Sequence, residues 1–304
     1  MRRLAPACLA LAAALLGCSS GSGAGGGGGR AGAADTPAPS GRPAAERQVT
    51  YTDRLPIARY SYTHAESALI DSAQQVLTQR CMRTFGIDYE PPKPAGEPPR
   101  PADRRYGLSS ESEAESFGYR PGPEATPSER PSLPTEALPV FYGKRGAVPD
   151  GGEKATYKGK EIPAEGCFGQ SVVELSEKYD DPDAAAVASG VATESYEESL
   201  TDPSVKEAFR KWSACMRNSE FRYETPMSPL NSSAFQGRTV TAKEKKTAVA
   251  DVRCKERTGL LDIWFEAESR IQKAGIEKNT VALEKLRTAH QEKTDAARRI
   301  VAAD

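Results

Sequence analysis

The chain has 304 residues, a formal net charge of −1 at pH 7 and an apolar fraction of 38%. It is long enough for one or two domains and too nearly neutral for a nucleic-acid clamp. It also lacks the run of about 20 apolar residues that a membrane-crossing helix needs. Its 26 Gly and 23 Pro are unevenly spread, so much of the length reads as linker and loop.

At the N-terminus, Met1-Arg2-Arg3 is a positive segment, followed by an apolar run over residues 4–16. That run is too short to span about 30 Å of hydrocarbon, and it ends in small residues as a secretory signal does. Its close, Leu15-Leu16-Gly17-Cys18, resembles the bacterial lipobox. The resemblance implies that residues 1–17 are a lipoprotein signal peptide and that Cys18 carries the lipid. The domain would then sit on the extracytoplasmic face of the cell membrane, anchored through that lipid. Losing Arg2 and Arg3 takes the net charge from −1 to −3. Gly17-Cys18-Ser19-Ser20-Gly21 formally matches the hydrolase pattern G-x-S-x-G. That chemistry needs a strand before the serine and a helix after it, and here a signal peptide and a glycine tract flank it.

Residues 18–48 read as the lipidated cysteine and a flexible tether, since positions 19–48 hold 9 Gly, 7 Ala, 4 Ser and 3 Pro. Such a segment buries too little apolar surface to fold, and as a coil it reaches roughly 30 Å. Residues 49–304 read as a single folded domain.

Within it, Leu69/Ile70, Ala73, Val76/Leu77 and Cys81 recur at three- and four-residue steps, which predicts an amphipathic helix ending at the cysteine. Residues 91–163 contain 14 Pro, a density that forbids long helices. An irregular, Pro-rich insertion is expected there, pinned to the core by Tyr106, Phe117, Tyr119, Leu133, Leu138, Val140, Phe141 and Tyr142. After Cys167, the residues Val172, Val173 and Leu175 suggest a short helix, and Asp180-Asp181-Pro182-Asp183 a turn. Counted from Asp181, that turn lacks the Gly at position six and the Glu at position twelve of a calcium loop. Glu194, Glu197 and Glu198 read as a solvated helix face.

Val205, Ala208/Phe209, Trp212 and Cys215 form a second stripe, opened by Asp202-Pro203 as N-cap and first helical residue. Residues 241–302 contain no proline, begin with a capping-box pattern at Thr241 and Glu244, and predict one long helix or a helical hairpin broken at Gly259 or Gly275. Val249, Val252, Leu260, Ile263/Trp264, Ala267, Ile271, Ala274, Val281 and Leu286 supply its stripe. Trp264 and Phe265 are the candidate partner surface, with packing against the Cys215 helix as the alternative. The fold class is mainly α.

Cys81, Cys167, Cys215 and Cys254 are an even set in a chain read as exported, which predicts two disulfides. Zinc sites want closely spaced pairs, and none occurs. Cys81-Met82-Arg83 is followed by Tyr89-Glu90, and Cys215-Met216-Arg217 by Tyr223-Glu224 at the same offset. Two self-closing units would pair Cys81 with Cys167 and Cys215 with Cys254; cross-pairing of the two helices is the alternative.

Trp212-Ser213-x-Cys215-Met216, Ala248-x-Ala250-Asp251-x-x-Cys254-Lys255, Gly259-Leu260, Trp264, Glu268, Gln272, Ile276, Asn279 and Leu283 together resemble a family of actinobacterial exported lipoproteins. Cys81-Met82-Arg83, Tyr106-Gly107, Gly118-Tyr119 and Gly166-Cys167 fit the same pattern. The resemblance spans residues 65–287 and implies a compartment, with no activity attached. No catalytic residue, cofactor or metal site is expected. The expected function is that of a lipid-anchored, non-catalytic surface protein, with an envelope protein or cell-wall polymer as partner and no nucleic acid. An envelope hydrolase using paired carboxylates and a transporter-linked solute-binding lipoprotein are the alternatives.

Overall fold

The computed structural model describes residues 50–91, 103–122, 133–143 and 155–304. Residues 1–49, which include the expected signal peptide, Cys18 and the expected tether, and parts of the Pro-rich insertion lie outside the described residues. Everything described belongs to one compact unit, Gln48–Asp304.

The body is helical. After a short α1 (Tyr51–Arg54), the main helices are α2 (His64–Thr84), α5 (Gly166–Ser176), α6 (Pro182–Ser199), α7 (Pro203–Asn218), α8 (Ala242–Thr258), α9 (Leu260–Lys278) and α10 (Thr280–Ala302). Two shorter helices, α3 (Glu111–Phe117) and α4 (Leu138–Tyr142), lie inside the Pro-rich insertion. The sheet among the described residues is an antiparallel pair, β1 (Thr156–Tyr157) and β2 (Lys160–Glu161). No described helix is long and apolar enough to cross a membrane.

Helix starts follow local chemistry. Asp202 accepts from the Ser204 amide with Pro203 at the first position of α7, and Asp181 accepts from the Ala184 amide ahead of Pro182 in α6. A full capping box occurs at Thr63 and Glu66, which opens α2. At Thr241 only half of the expected box forms. The Thr241 hydroxyl accepts from the Glu244 amide, but the Glu244 side chain turns inward and is fully buried.

The proline-free tail is three helices, not one. Gly259 makes the first break with φ +61, the left-handed conformation that ends α8. The second break is at Asn279, not at Gly275. Gly275 stays helical inside α9, where a Cβ would stand 3.2 Å from Val191 of α6, so its missing side chain serves close helix packing. The Asn279 side chain instead donates through Nδ2 to the Gly275 carbonyl at 2.9 Å. The apolar stripe also differs from expectation. Val281 is 87% exposed, and the buried face continues past Leu286 through Thr294, Ala296 and Ala297, where α10 packs along α2 and α6.

Disulfides join Cys81 to Cys167 and Cys215 to Cys254, tying α2 to α5 and α7 to α8. The two cysteine helices end in the same way. Met82 and Met216 are both fully buried, and each carbonyl accepts from the amide five residues on, Ile87 at 3.2 Å and Phe221 at 3.0 Å. The side chain two before each cysteine caps the tyrosine carbonyl eight after it: Gln79 donates to Tyr89 and Ser213 to Tyr223. The repeated phrase is therefore a repeated structure.

The insertion is pinned as its aromatics suggest. Tyr106, Tyr119, Val140 and Phe141 are buried, whereas Tyr142 is 47% exposed. The Gly166-Cys167 pair has a steric reason. Gly166 and Gly143 both have positive φ and meet back to back, so a Cβ on Gly166 would lie 2.2 Å from the Gly143 nitrogen.

Candidate functional site

Three carboxylates on α8 and α9 are fully buried, and each is held by its own partners. Glu268 of α9 is the busiest. One oxygen accepts from Tyr106 Oη at 2.8 Å, and the other from Gln272 Nε2 at 3.0 Å and Ser195 Oγ at 3.2 Å. The Arg105 guanidinium closes on both oxygens and also donates to the Ala192 carbonyl at 2.7 Å. Gln272 in turn accepts from the Ile57 amide at 3.1 Å. Burial and the adjacent Glu268 push the Tyr106 phenol well up, so it stays a donor.

Asp251 and Lys255 sit one turn apart on α8, both without solvent exposure. Trp212 Nε1 donates to Asp251 Oδ1 at 2.9 Å, and Lys255 Nζ reaches Asp251 Oδ2 at 3.1 Å and the Leu108 carbonyl at 2.8 Å. Burial pushes the Asp251 carboxyl up and the Lys255 ammonium down, while their mutual attraction works the other way. Glu244 accepts from the Tyr119 amide at 3.3 Å and faces Arg120 Nε at 3.7 Å. Gly118 makes room for it, since a Cβ there would stand 2.9 Å from the carboxylate.

These clusters lock the insertion to the α7–α9 core. Ser195, Tyr106 and Glu268 are all nearly or fully buried. Of the family-like phrase, Asp251, Cys254 and Lys255 make a buried ion pair and a disulfide. Trp264 is fully buried among Tyr106, Phe209 and Tyr196, with ring centroids 4.9, 5.0 and 5.6 Å away, and its indole donates to Ser199 Oγ at 2.7 Å. Phe265 is covered by Tyr51 and by the Arg54 guanidinium 4.6 Å from its ring. Neither stands out as a partner surface.

Two grooves among the described residues face solvent, one beside each disulfide. The first, about 380 Å³, runs past Cys81 and Cys167 and mixes Arg80 and Lys160 with Glu161 and Glu174. The second, about 480 Å³, has a floor of Val249, Ala250 and Cys254 and walls of Lys245, Lys246, Arg253 and Arg257 against one acid, Glu115. No local motif flagged it; the visible signal was the helical spacing of these cations along residues 245–257.

Among the described residues, no group of three or more His, Cys, Asp and Glu is placed to hold a metal. No family model, curated protein or solved structure matches the chain.

Proposed function

We propose that this chain is a lipid-anchored, non-catalytic surface protein of the cell envelope. It is held at the extracytoplasmic face of the membrane by a lipid on Cys18 and binds an envelope component through its exposed grooves. The observation that carries this reading is the pair of disulfides, because such bridges persist in oxidising compartments outside the cytoplasm. The segment Leu15-Leu16-Gly17-Cys18 and the Gly/Ala-rich tether after it supply the anchor and its reach. The likeness of the cysteine phrases to exported actinobacterial lipoproteins supports the same compartment.

The buried carboxylates favour binding over hydrolysis. A hydrolase of the paired-carboxylate kind needs two acids facing one cleft. Here Glu268 is occupied by Arg105, Tyr106, Ser195 and Gln272, and Asp251 by Trp212 and Lys255, in different clusters. A transporter-linked receptor alternates strands and helices around parallel sheets, and the helix-rich body favours the surface-protein reading over it.

Metabolic labelling with an alkyne fatty acid tests the anchor. The wild-type band takes up the label and the Cys18→Ala band does not; an unlabelled wild-type protein would contradict the proposal.

A further inference from the structure

We propose that the α8 groove walled by Lys245, Lys246, Arg253 and Arg257 docks a phosphodiester-linked polyanion. This rests on the envelope position argued above and names the partner's chemistry.

Several surface cations elsewhere in the fold pair with acids. Arg210 pairs with Glu207, Arg287 with Glu284 and Arg298 with Asp295 on their own helices, and Arg270 and Lys285 reach Asp202 and Asp181. On α8 two of the three acids turn inward instead: Glu244 toward Arg120, and Asp251 toward Lys255. The outer face of the helix is thereby left with Lys245, Lys246, Arg253 and Arg257 against one exposed acid, Glu256. Lys245, Lys246 and Arg257 form no ion pair among the described residues. Arg257 rests its guanidinium on Cys215 Sγ at 3.5 Å, a neutral partner that orients it and leaves its charge uncompensated. Arg253 is held by Glu111, at 3.1 Å through Nε and 2.5 Å through a terminal nitrogen.

Spacing selects a polymer over a single anion. Lys246, Arg253 and Arg257 share one face, and eleven residues of α-helix extend about 16 Å. No one phosphate touches both ends, whereas a chain of phosphates meets the cations in turn. The apolar floor of Val249, Ala250 and Cys254 suits the carbon skeleton between phosphates. A basic stripe of this kind binds phosphates chiefly by releasing counterions, so affinity falls steeply with salt.

The test titrates the full lipidated chain, in neutral detergent micelles, into fluorescent long-chain poly(glycerol phosphate), a phosphodiester polymer with a carbon backbone, and follows anisotropy. Wild type binds, and its affinity drops about tenfold or more between roughly 50 and 200 mM salt. The Lys246→Glu/Arg257→Glu variant binds at least about tenfold more weakly, and Lys245→Ala/Lys246→Ala weakens binding in the same direction if the reversal disturbs folding. Arg287→Glu/Arg298→Glu, on the paired face of α10, binds like wild type. Inorganic monophosphate and micelles carrying phosphatidylglycerol do not displace the polymer at equal phosphate. Absent binding, equal loss in the α8 and α10 variants, or displacement by the anionic micelles would each overturn the proposal. Cys18 would still take up the fatty-acid label in every one of those cases, so the failure of this docking site is distinct from failure of the anchor.

Discussion

Glu220 occupies, at the end of the second cysteine helix, the backbone position that Gly86 occupies at the end of the first. Both lie five residues after the bridged cysteine, with φ +69 and +70. Both donate the same turn hydrogen bond, Glu220 to the Arg217 carbonyl and Gly86 to that of Arg83. The left-handed conformation is disfavoured for any residue with a Cβ, by about 1–2 kcal/mol.

Glu220→Gly is therefore expected to stabilise the protein by about 0.5–1 kcal/mol, the relief being partly offset by the greater freedom of glycine in the unfolded chain. Gly86→Ala is expected to destabilise it by about 1 kcal/mol. A Cβ at Gly86 meets nothing within 4 Å, so that variant reads the backbone alone. Urea unfolding midpoints of the two variants check both signs.

A second prediction concerns the lock on α8. Asp251→Ala leaves the Lys255 ammonium buried and unpaired, and is expected to destabilise by about 3–5 kcal/mol. Asp251→Ala/Lys255→Met removes both charges and should recover most of that loss, because the desolvation of each ion is relieved together. A double-mutant cycle in urea measures it. Additive losses would mean that the pair is not coupled.

The third prediction follows from His290, which stacks on Tyr62 with ring centroids 3.9 Å apart. Burial lowers its pKa below 6.5, with Lys293 pushing the same way and Asp180 and Glu66 opposing. A depressed histidine binds its proton later in the folded state than in the unfolded chain. The stability it supports is full above about 6.5 and is lost as pH falls through the folded value. His290→Gln should flatten the decline in unfolding midpoints as pH falls below about 6.5.

How far these features were legible in the sequence depends on whether their cause was local. The two cysteine helices were readable because Val205, Phe209 and Trp212, like Ala73 and Val76, repeat at helical spacing and are buried accordingly. The start of α7 was readable because Asp202 and Pro203 act on their own turn. Glu244 was misread because a distant Arg120 and the Tyr119 amide outcompete the cap beside it. The break at Asn279 was missed because Gly275 answers to Val191 on another helix. The Glu268 cluster gathers Arg105, Tyr106, Ser195 and Gln272 from three stretches of chain. Its one visible trace was a Glu and a Gln four apart on the buried stripe of α9.

Disulfide connectivity gives a fourth prediction. Non-reducing peptide mapping should find Cys81 joined to Cys167 and Cys215 to Cys254. With the bridged partners 86 and 39 positions apart in sequence, removing either bridge by paired Ser substitution is expected to destabilise by about 4–5 kcal/mol in the chain-entropy model. Cross-linked Cys81 and Cys215 peptides would refute the two-unit arrangement.

The proposed anchor is tested most directly by the mass of the N-terminal peptide recovered from the membrane fraction. The account predicts a peptide that begins at Cys18, with a diacylglycerol joined to its thiol. A peptide beginning elsewhere, or an unmodified Cys18, would contradict it.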